Sequence, residues 1–303
     1  MQVCSKSMIP MYSNSEVLHE ILNEQWLMSY SHLMRIRHFM ENVVASGQEG
    51  TRVERPAHLA MNFYNEDHER INPSDISEIP EGSVAVVNAI GPMMKYASWW
   101  FLGANEVIAQ LDFANNLSSI SGIILIVDGP GGAVAAIPPF IEFKKRKKKP
   151  IVALCDQSLS LHRWIPDAVA DYQMADNNII SRFGSIGVVS SWMDLTKYYE
   201  DLKIILEEVY PEESKHKNEI HRMYKEDPEK AREMLRKMHL SPMAQKFQAA
   251  VKEAHPNLIE EEGVLTGRTF TAEDAVRVNM IDKIGNLKEA MTMVQALSEN
   301  SSF

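Results

Sequence analysis

The chain has 303 residues, and 45% of them are hydrophobic, which is enough for a sizeable core in one large domain or in one domain with an appendage. The net charge of −10 disfavours non-specific binding to nucleic acid. The two cysteines, Cys4 and Cys155, lack partners at metal-binding spacing, so we expect neither a disulfide framework nor a zinc site. Because the sequence shows neither a signal peptide pattern nor an apolar run long enough to span a membrane, we expect a soluble, cytoplasmic protein.

The first 80 residues are predicted to form a helical extension and a connector. Apolar residues recur at helical spacing over 15–46, which predicts a helix that packs on the core or on a partner. The segment Gly47 to Pro80 is polar and rich in turn residues, so we interpret it as a connector without regular structure.

Regular alternation of strands and helices begins at Ser83. Four short apolar runs predict strands, and three longer periodic segments between them predict helices. This β-α-β rhythm indicates an α/β fold with a covered parallel sheet and right-handed crossovers. The predicted strands are 84–90, 123–127, 151–155 and 172–175, and the predicted helices are 105–115, 135–147 and 161–170.

The second half of the chain is mainly helical in pattern. A polar helix over 195–202 precedes a predicted strand at 204–209, and helices over 219–255 are broken by Pro228 and Pro242. Two further helices over 271–298 are separated by Gly285. We therefore place an α/β domain over 81–290 and a tail over 291–303.

A glycine-rich loop, Asp128-Gly129-Pro130-Gly131-Gly132, follows the predicted strand 123–127. In parallel α/β sheets, ligand sites form at the carboxyl ends of the strands. Adjacent glycines leave backbone N–H groups uncovered, which suits an oxyanion hole, although a tight strand-to-helix turn needs glycine as well. The spacing of a phosphate-binding loop is absent.

Ser160 follows the predicted strand 151–155 and precedes a helix. A serine in this place is either a nucleophile, which requires a nearby base, or an N-cap of the helix. Ser158 is a competing nucleophile two residues away.

Two side chains are candidates for the base. Lys217 lies in a strongly polar stretch, where it is either a solvated surface lysine or, if burial or nearby positive charge keeps it neutral, a proton acceptor. His162 ranks below it, because positions i and i+2 of a helix do not face each other. The basic run from Lys144 to Lys149 is either a solvated helix end, favoured by the helix dipole, or a patch for an acidic partner.

Around these residues the chain resembles the signal peptide peptidase A family of serine–lysine peptidases, which share the ClpP/crotonase-type fold. The resemblance runs from about Ser83 to Asn286 and has four ordered parts. The family's Asp-Ser-Pro-Gly-Gly, Lys-Pro-Val-Val-Ala, Gly-Ser-Ile-Gly-Val and Leu-Thr-Gly-Arg…Ile-Asp-x-Ile-Gly patterns are similar to 128–132, 149–153, 184–188, and 265–268 with 281–285.

The resemblance implies a role for each matched residue. Ser160 would be the nucleophile, because Trp164-Ile165 follows it as in the family, and Lys217 would be the general base. Ser185 would orient that lysine, and the backbone N–H groups of Gly131 and Gly132 would hold the oxyanion. The family needs no cofactor or metal, and its members are homo-oligomeric rings or domes in which neighbouring subunits complete each other's sites.

Two positions depart from the family pattern. The family has Gly-Gly or Ala-Ala after the nucleophile, where this chain has Leu161-His162, followed by Arg163. The family serine in Asp-Ser-Pro-Gly-Gly is Gly129 here. Larger side chains at 161 and 162 would narrow the substrate groove or shift Ser160, so these departures bear on activity more than on fold.

Our first hypothesis is a soluble serine endopeptidase that acts on protein or peptide substrates through a Ser160–Lys217 dyad. Similarity to soluble, phage- or prophage-encoded members implies proteolysis during capsid assembly or maturation. The alternative is a catalytically inactive relative that serves as an oligomeric assembly or scaffold component. An acyl-CoA enzyme of crotonase type is a third option, but no carboxylate pair is placed for its acid–base chemistry.

Overall fold

A computed structural model describes residues 8–9, 26–28, 34–35, 38, 55–56, 61–97, 102–190, 196–205 and 207–300. Within them, nine strands form one main sheet. Numbered in chain order, the strands of this sheet are β1 (Asn62–Tyr64), β2 (Arg70–Ile71), β3 (Ser83–Ile90), β4 (Ile120–Gly129), β5 (Ile151–Leu159), β6 (Tyr172–Ala175), β7 (Arg182–Gly184), β8 (Thr269–Thr271) and β9 (Lys283–Ile284).

The centre of the main sheet is parallel, and its edges are antiparallel. The spatial order is β8-β7-β5-β4-β3-β1-β2, with β3, β4, β5 and β7 parallel to their neighbours in this group. Strands β1, β2 and β8 pair antiparallel. Two short antiparallel pairs lie outside this sheet: Met8–Ile9 with Arg55–Pro56, and Trp26–Met28 with Gly131–Ala133.

Strand β5 has two partners on one of its sides. Its first half pairs with β6, from Val152 opposite Tyr172 onward, and its last three residues pair with β7. Strand β4 covers its other side. The chain therefore reaches Ser160 from a strand that is paired along nearly its whole length.

Nine α-helices lie within the described residues from 102 onward, and Arg236–Leu240 forms a π-helical segment between two of them. The helices are α1 (Ala104–Asn116), α2 (Ile137–Lys144), α3 (Leu161–Val169), α4 (Thr196–Asp201), α5 (Glu219–Glu226), α6 (Pro228–Leu235), α7 (Ser241–Ala254), α8 (Ala272–Arg277) and α9 (Leu287–Asn300).

Helices cover both faces of the central strands, because alternate strand residues point to opposite sides. On one face, Val84 and Val86 of β3 pack with Met291 and Val294 of α9. On the other face, strand residues such as Val87 belong to the larger core, to which α1, α2, α3 and α7 contribute buried side chains. This arrangement confirms the predicted α/β fold with a parallel-sheet core. No helix in the described residues is long and apolar enough to cross a membrane.

Most predicted elements from Ser83 onward are confirmed, but strand β5 is longer than predicted and reaches Leu159. Helix α2 begins at Ile137, after a 3-10 turn at Val134–Ala136, and ends at Lys144, so it is shorter at both ends than the predicted helix 135–147. Pro228 begins α6, as expected for a break at this proline. The predicted break at Pro242 is wrong, because the chain stays helical from Pro228 to Ala254 through the π-helical segment Arg236–Leu240.

Three predictions are wrong where the structure describes them. Trp26–Met28 is a strand inside the predicted helix 15–46, although Met34, Arg35 and His38 are helical and the rest of that segment lies outside the described residues. The supposed connector contains β1 and β2, which extend the main sheet. The described part of 204–209 is irregular, and Ile205 and Val209 are exposed, because no neighbouring strand pairs with it.

The basic run belongs to the protein's own framework. Each of its six side chains contacts a carboxylate, an amide or a carbonyl of this chain, although the side chains of Lys144, Lys145 and Arg146 remain 51%, 67% and 45% exposed. The contacts are Lys144 with Glu253, Lys145 with Glu142, Arg146 with Asp112, Lys147 with Asp171, Lys148 with Asn116, and Lys149 with the carbonyls of Ala114 and Leu117.

Candidate active site

Ser160 lies at the junction of β5 and α3 in a strained backbone conformation. Its φ is 55° and its ψ is −117°, a region that non-glycine residues rarely occupy. The Ser160 N–H donates to Gly184 O at 2.9 Å, and Ser160 O accepts from the N–H groups of Arg163 and Trp164. Strain of this kind costs about 1–3 kcal/mol and persists only where the surroundings fix it.

The Ser160 hydroxyl does not cap α3. It has no hydrogen bond to the first turn of the helix, and its nearest acceptor is Gly187 O at 3.5 Å. The side chain is buried, with 1% of the residue exposed. The simple N-cap interpretation is therefore wrong, and the residue combines backbone strain with an uncommitted hydroxyl.

Ser158, the competing nucleophile, is already engaged. Its hydroxyl donates to His162 O at 3.0 Å, and the residue is fully buried. This bond ties the end of β5 to the first turn of α3. Ser158 therefore supports the junction that positions Ser160.

The glycine loop continues β4 through a register shift between Val127 and Gly129. The Gly131 carbonyl accepts from Met93 N–H at 3.1 Å, and Ala133 N–H donates to Met93 O at 2.9 Å. On the other side, Trp26–Met28 pairs with Gly131–Ala133. A Cβ atom on Gly131 would overlap the carbonyl oxygen of Leu27, and one on Gly132 would overlap that of Met93. Close backbone approach on both sides therefore requires glycine at 131 and 132.

His162 binds the glycine loop directly. Gly131 N–H donates to His162 Nδ1 at 3.1 Å, and the imidazole is fully buried. Burial lowers the pKa of His162 to about 3. The ring is therefore neutral at physiological pH, with its proton on Nε2, which has no hydrogen-bond partner in the described residues. Neither ring nitrogen offers a free lone pair, so this arrangement disfavours His162 as the base for Ser160.

The two departures from the family pattern are neighbours in space. A Cβ atom on Gly129 would overlap Cε1 and Nε2 of His162. A serine at 129, as in the family, would therefore collide with the histidine at 162. The family has a side chain at position 129 and a small residue at position 162. In this chain the imidazole of His162 occupies the space that a side chain at 129 would fill.

The residues on either side of His162 point into the interior. Leu161 is fully buried in the main core, and Arg163 is also fully buried. Arg163 Nε donates to Asp167 Oδ2 at 3.2 Å, and His255 Nε2 lies 2.8 Å from Asp167 Oδ1. Burial alone would raise the pKa of Asp167, but the Arg163 charge and the contact with His255 lower it below its usual value. Of the three bulky residues after Ser160, His162 is the one that accepts a hydrogen bond from the glycine loop.

The Gly184–Gly187 loop supports Ser160 from the opposite side. Ser185 has a φ of 54°, and its N–H donates to Arg268 O at 2.8 Å. A Cβ atom on Gly184 would clash with the same carbonyl, which lies 2.5 Å away. The Ser185 hydroxyl makes no hydrogen bond within the described residues. The Leu265–Arg268 pattern is thus a backbone support for the 184–187 loop.

Lys217 is exposed and lies just before α5. Its N–H donates to Ser214 O at 2.9 Å. Within the described part of the chain its ammonium group forms no ion pair or hydrogen bond, so no bond joins it to Ser160 or Ser185. The structure brings Ser160, the glycine loop and the 184–187 loop together, but it does not bond Lys217 to them.

Carboxylates accompany the glycine loop. Burial and then the charge of Asp156 raise the pKa of Asp128, which precedes Gly129. Asp156 accepts from Ser181 Oγ at 3.0 Å. No group of three or more potential metal ligands occurs among the described residues.

Sequence reasoning missed two contacts of this site. Gly129 and His162 each depart from the family pattern. The fact that both positions depart together was the signal that could have indicated a contact between them. Sequence reasoning had no signal for Trp26–Met28, because a three-residue strand with helical flanking periodicity looks like part of a helix.

Comparison with known families identifies the class of protein. Residues 143–301, just over half of the chain, match peptidase family S49. The chain belongs to this family, which confirms the family predicted from the motifs. The matched segment contains Ser160, Ser185 and Lys217 and begins after the glycine loop.

The chain is also similar to individual proteins. The chain is 26% identical over 201 residues to a Methanocaldococcus jannaschii protein named "Putative protease MJ0651", covering 66% of this chain and 63% of that protein's length. Among solved structures, it is similar to a mutant of the 1510-N membrane-bound stomatin-specific protease in complex with a substrate peptide. That likeness has a TM-score of 0.43 and 14% identity, over 69% of this chain and 78% of the other.

Proposed function

We propose that this protein is a serine endopeptidase with Ser160 as its nucleophile and Lys217 as its general base. The observation that carries the proposal is the conformation of Ser160. Its backbone is held in strain between β5 and α3, its hydroxyl does not cap the helix, and it lies at the carboxyl end of a central strand. Membership of a peptidase family supports the same reaction class.

The proposed reaction has two steps. Ser160 Oγ attacks the peptide carbonyl carbon while its proton passes to neutral Lys217 Nζ, and the C–N bond then breaks as the leaving amine takes that proton. Water next attacks the ester carbon while its proton passes to Lys217 Nζ, and the Ser160 Oγ–C bond then breaks as Ser160 Oγ takes that proton and the acid product leaves. Backbone N–H groups of Gly131 and Gly132 would stabilise the negative oxygen in both steps.

The arrangement described above must change in two respects before this reaction can occur. Lys217 must be covered and brought within hydrogen-bonding reach of Ser160, with Ser185 to orient it. Gly131 N–H must also leave His162 Nδ1, because a donor engaged elsewhere cannot hold an oxyanion. We propose that assembly into a homo-oligomeric ring or dome supplies the cover for Lys217 from a neighbouring subunit.

A fluorophosphonate probe tests the nucleophile. Slow labelling of Ser160 is expected in the wild type over hours, identified by mass spectrometry of the modified peptide. Ser160→Ala should abolish labelling without changing the backbone strain, since alanine also carries a Cβ. Ser158→Ala tests the competing serine: it should still be labelled at Ser160, although more slowly, because it loses the bond to His162 O that supports the junction. Equal labelling of wild type and Ser160→Ala would exclude Ser160 as nucleophile.

The competing proposal is a catalytically silent assembly component. Two observations favour it: Gly131 N–H is occupied by His162, and Lys217 is exposed and unbonded within the described residues. It predicts a stable oligomer, seen by light scattering, with neither labelling nor casein hydrolysis. Turnover that disappears in Lys217→Ala would exclude it.

The biological setting we propose is proteolysis during phage capsid assembly, which rests on resemblance to phage- and prophage-encoded members. Co-expression with capsid and scaffold proteins would test it. The expected result is cleavage of one of them that depends on Ser160. Intact capsid proteins beside an enzyme that cleaves casein would contradict this setting and leave the peptidase proposal standing.

A further inference from the structure

A remote segment of the chain lies between the two loops of the candidate site. Trp26–Met28 pairs antiparallel with Gly131–Ala133, with Leu27 opposite Gly132 and Met28 opposite Gly131. On the other side of this strand, Val189 N–H donates to Trp26 O at 3.1 Å, in an antiparallel bridge. The segment is thus bonded to backbone on both sides.

The fit between this strand and the loop is close. Gly131 has a φ of 117°, and its missing side chain leaves room for the Leu27 carbonyl and for Met28 Cβ. Trp26, Leu27 and Met28 are 4%, 0% and 3% exposed. An apolar tripeptide is therefore enclosed in a groove whose walls are the backbones of Gly131–Ala133 and Val189.

This groove reaches the reacting residue from both walls. Gly131 is bonded to His162, two residues after Ser160. On the other wall, Gly187 O lies 3.5 Å from Ser160 Oγ, two residues before Val189. Each wall of the groove is therefore connected to the proposed nucleophile through a short segment of chain.

We propose that Trp26–Met28 is a resident, autoinhibitory strand in the groove between Gly131–Ala133 and Val189, and that a peptide enters this groove by strand addition only when the resident strand leaves. The proposal rests on the proposed function and deepens it by naming a latent state. In strand addition, backbone hydrogen bonds give affinity, while alternate side chains enter pockets on opposite faces. The occupant indicates pockets for large apolar side chains, and it fixes an antiparallel direction relative to Gly131–Ala133.

An internal occupant has an advantage over a free peptide. A tethered segment has an effective concentration on the order of millimolar. A free peptide at about 10 μM therefore competes at a disadvantage of roughly a hundredfold. Peptides bind appreciably only when the internal strand is displaced or weakened.

The first test uses the full chain and a fluorescein-labelled peptide with the sequence of residues 23–31, followed by fluorescence anisotropy. Leu27→Asp should release the internal strand, because it places an unpaired charge where the side chain is fully buried. We expect this variant to bind the peptide at least about tenfold more tightly than the wild type. A peptide with lysine at the three apolar positions is the control and should not bind. A folded Leu27→Asp variant that binds no better than the wild type would overturn the proposal.

The second test does not depend on the stability of Leu27→Asp. Trp26 and Ala133 are directly opposite in the antiparallel pair, at a separation typical of disulfide-linked residues. In a Cys4→Ser background, Trp26→Cys with Ala133→Cys should exclude the peptide when oxidised and bind it when reduced. Ala133→Cys alone should be insensitive to oxidation. If the oxidised and the reduced double-cysteine variant bind the peptide equally well, the strand is a fixed structural element.

These experiments test peptide binding in the groove and catalysis by Ser160 independently, so either proposal can be rejected without the other. The binding measurements are repeated in a Ser160→Ala background, where the same results are expected. Absence of labelling in every variant, with binding as expected, would reject the peptidase and keep the groove. Equal labelling of Ser160 in the oxidised and the reduced double-cysteine variant would support the peptidase proposal and reject the latent state.

Discussion

The half of the site around Ser160 and the half around Lys217 differ in how firmly they are built. Ser160 is buried, and its backbone is bonded at both ends to neighbouring elements. Lys217 is exposed, and its ammonium group has no partner in the described residues. The fold of one chain thus fixes the position of Ser160, whereas Lys217 needs a further contact before it can act as the base.

The largest expected effect concerns the ion pair behind the nucleophile. Arg163→Met should lower the free energy of unfolding by about 3 kcal/mol, because it leaves the Asp167 carboxylate buried with fewer partners. Lys215→Met removes the exposed Lys215–Glu212 pair near the base and should cost about 0.5 kcal/mol or less. Urea denaturation of both variants measures the difference.

A double variant separates the charge effect from the loss of packing. Arg163→Met with Asp167→Leu replaces the buried pair by apolar groups and should recover much of the loss. If Arg163→Met and Lys215→Met lower the free energy of unfolding by similar amounts, the two halves of the site do not differ in how firmly the fold holds them.

The second prediction concerns acid. Folded His162 has a pKa of about 3, against an ordinary value near 6.5. Between these values the unfolded chain binds a proton that the folded chain does not, so stability falls as the pH drops from about 6.5. The contribution is at most about 1.4 kcal/mol per pH unit.

Comparison with His162→Gln isolates this contribution, because glutamine can accept the Gly131 N–H but does not titrate. Unfolding free energies at several pH values between 6.5 and 4.5 should fall more steeply for the wild type. Parallel slopes would mean that the imidazole takes up a proton inside the folded protein.

The third prediction tests the exchange of volume between 129 and 162. Gly129→Ser alone should cost about 1–3 kcal/mol, because the new side chain overlaps the imidazole. When His162→Gly is already present, adding Gly129→Ser should cost little further stability. The coupling energy between the two substitutions is then about 1–3 kcal/mol. The double variant also frees Gly131 N–H and should therefore be labelled faster by a fluorophosphonate.

Gly187 provides the matched control for this cycle. A Cβ atom at 187 meets nothing within 4 Å, so Gly187→Ala should change stability by no more than about 0.5 kcal/mol. Additive costs at 129 and 162 would show that the two departures are independent.

The smallest expected effect on stability is at the base. Lys217→Ala should change the unfolding free energy by less than about 0.5 kcal/mol, because the side chain is exposed. The same variant should lose fluorophosphonate labelling if the dyad forms in the oligomer. A large loss of stability would show that Lys217 is already integrated into the folded chain.

The sequence predicted the parts of the site that depend on local pattern. Strand β5, helix α3 and the glycine loop follow from apolar runs, turn residues and glycine chemistry, so Ser160 could be placed between a strand and the start of a helix, although the strand was predicted to end at Cys155. Contacts between distant segments could not be predicted in this way. Neither the bond from His162 to Gly131 nor the strand at Trp26–Met28 has a local signature, since each exists only because a remote backbone lies beside it.

Two errors have the same physical origin. The segment before Pro80 is polar, yet β1 forms because strand β3 offers it an edge, and β2 then pairs with β1. The run at 204–209 has the composition of a strand, but without a partner it stays irregular in its described part. Strand formation depends on a neighbour as much as on composition.

The double pairing of β5 has a consequence for local opening of the folded protein. Amide hydrogens exchange with solvent only when their bonds open, and strands held on both sides open last. The Ser160 amide, bonded to Gly184 at the end of β5, should therefore exchange among the slowest, and amides around Lys217 among the fastest. Partial unfolding would then expose the base loop long before the nucleophile, so a proteolytic nick near Lys217 would leave Ser160 in its folded surroundings.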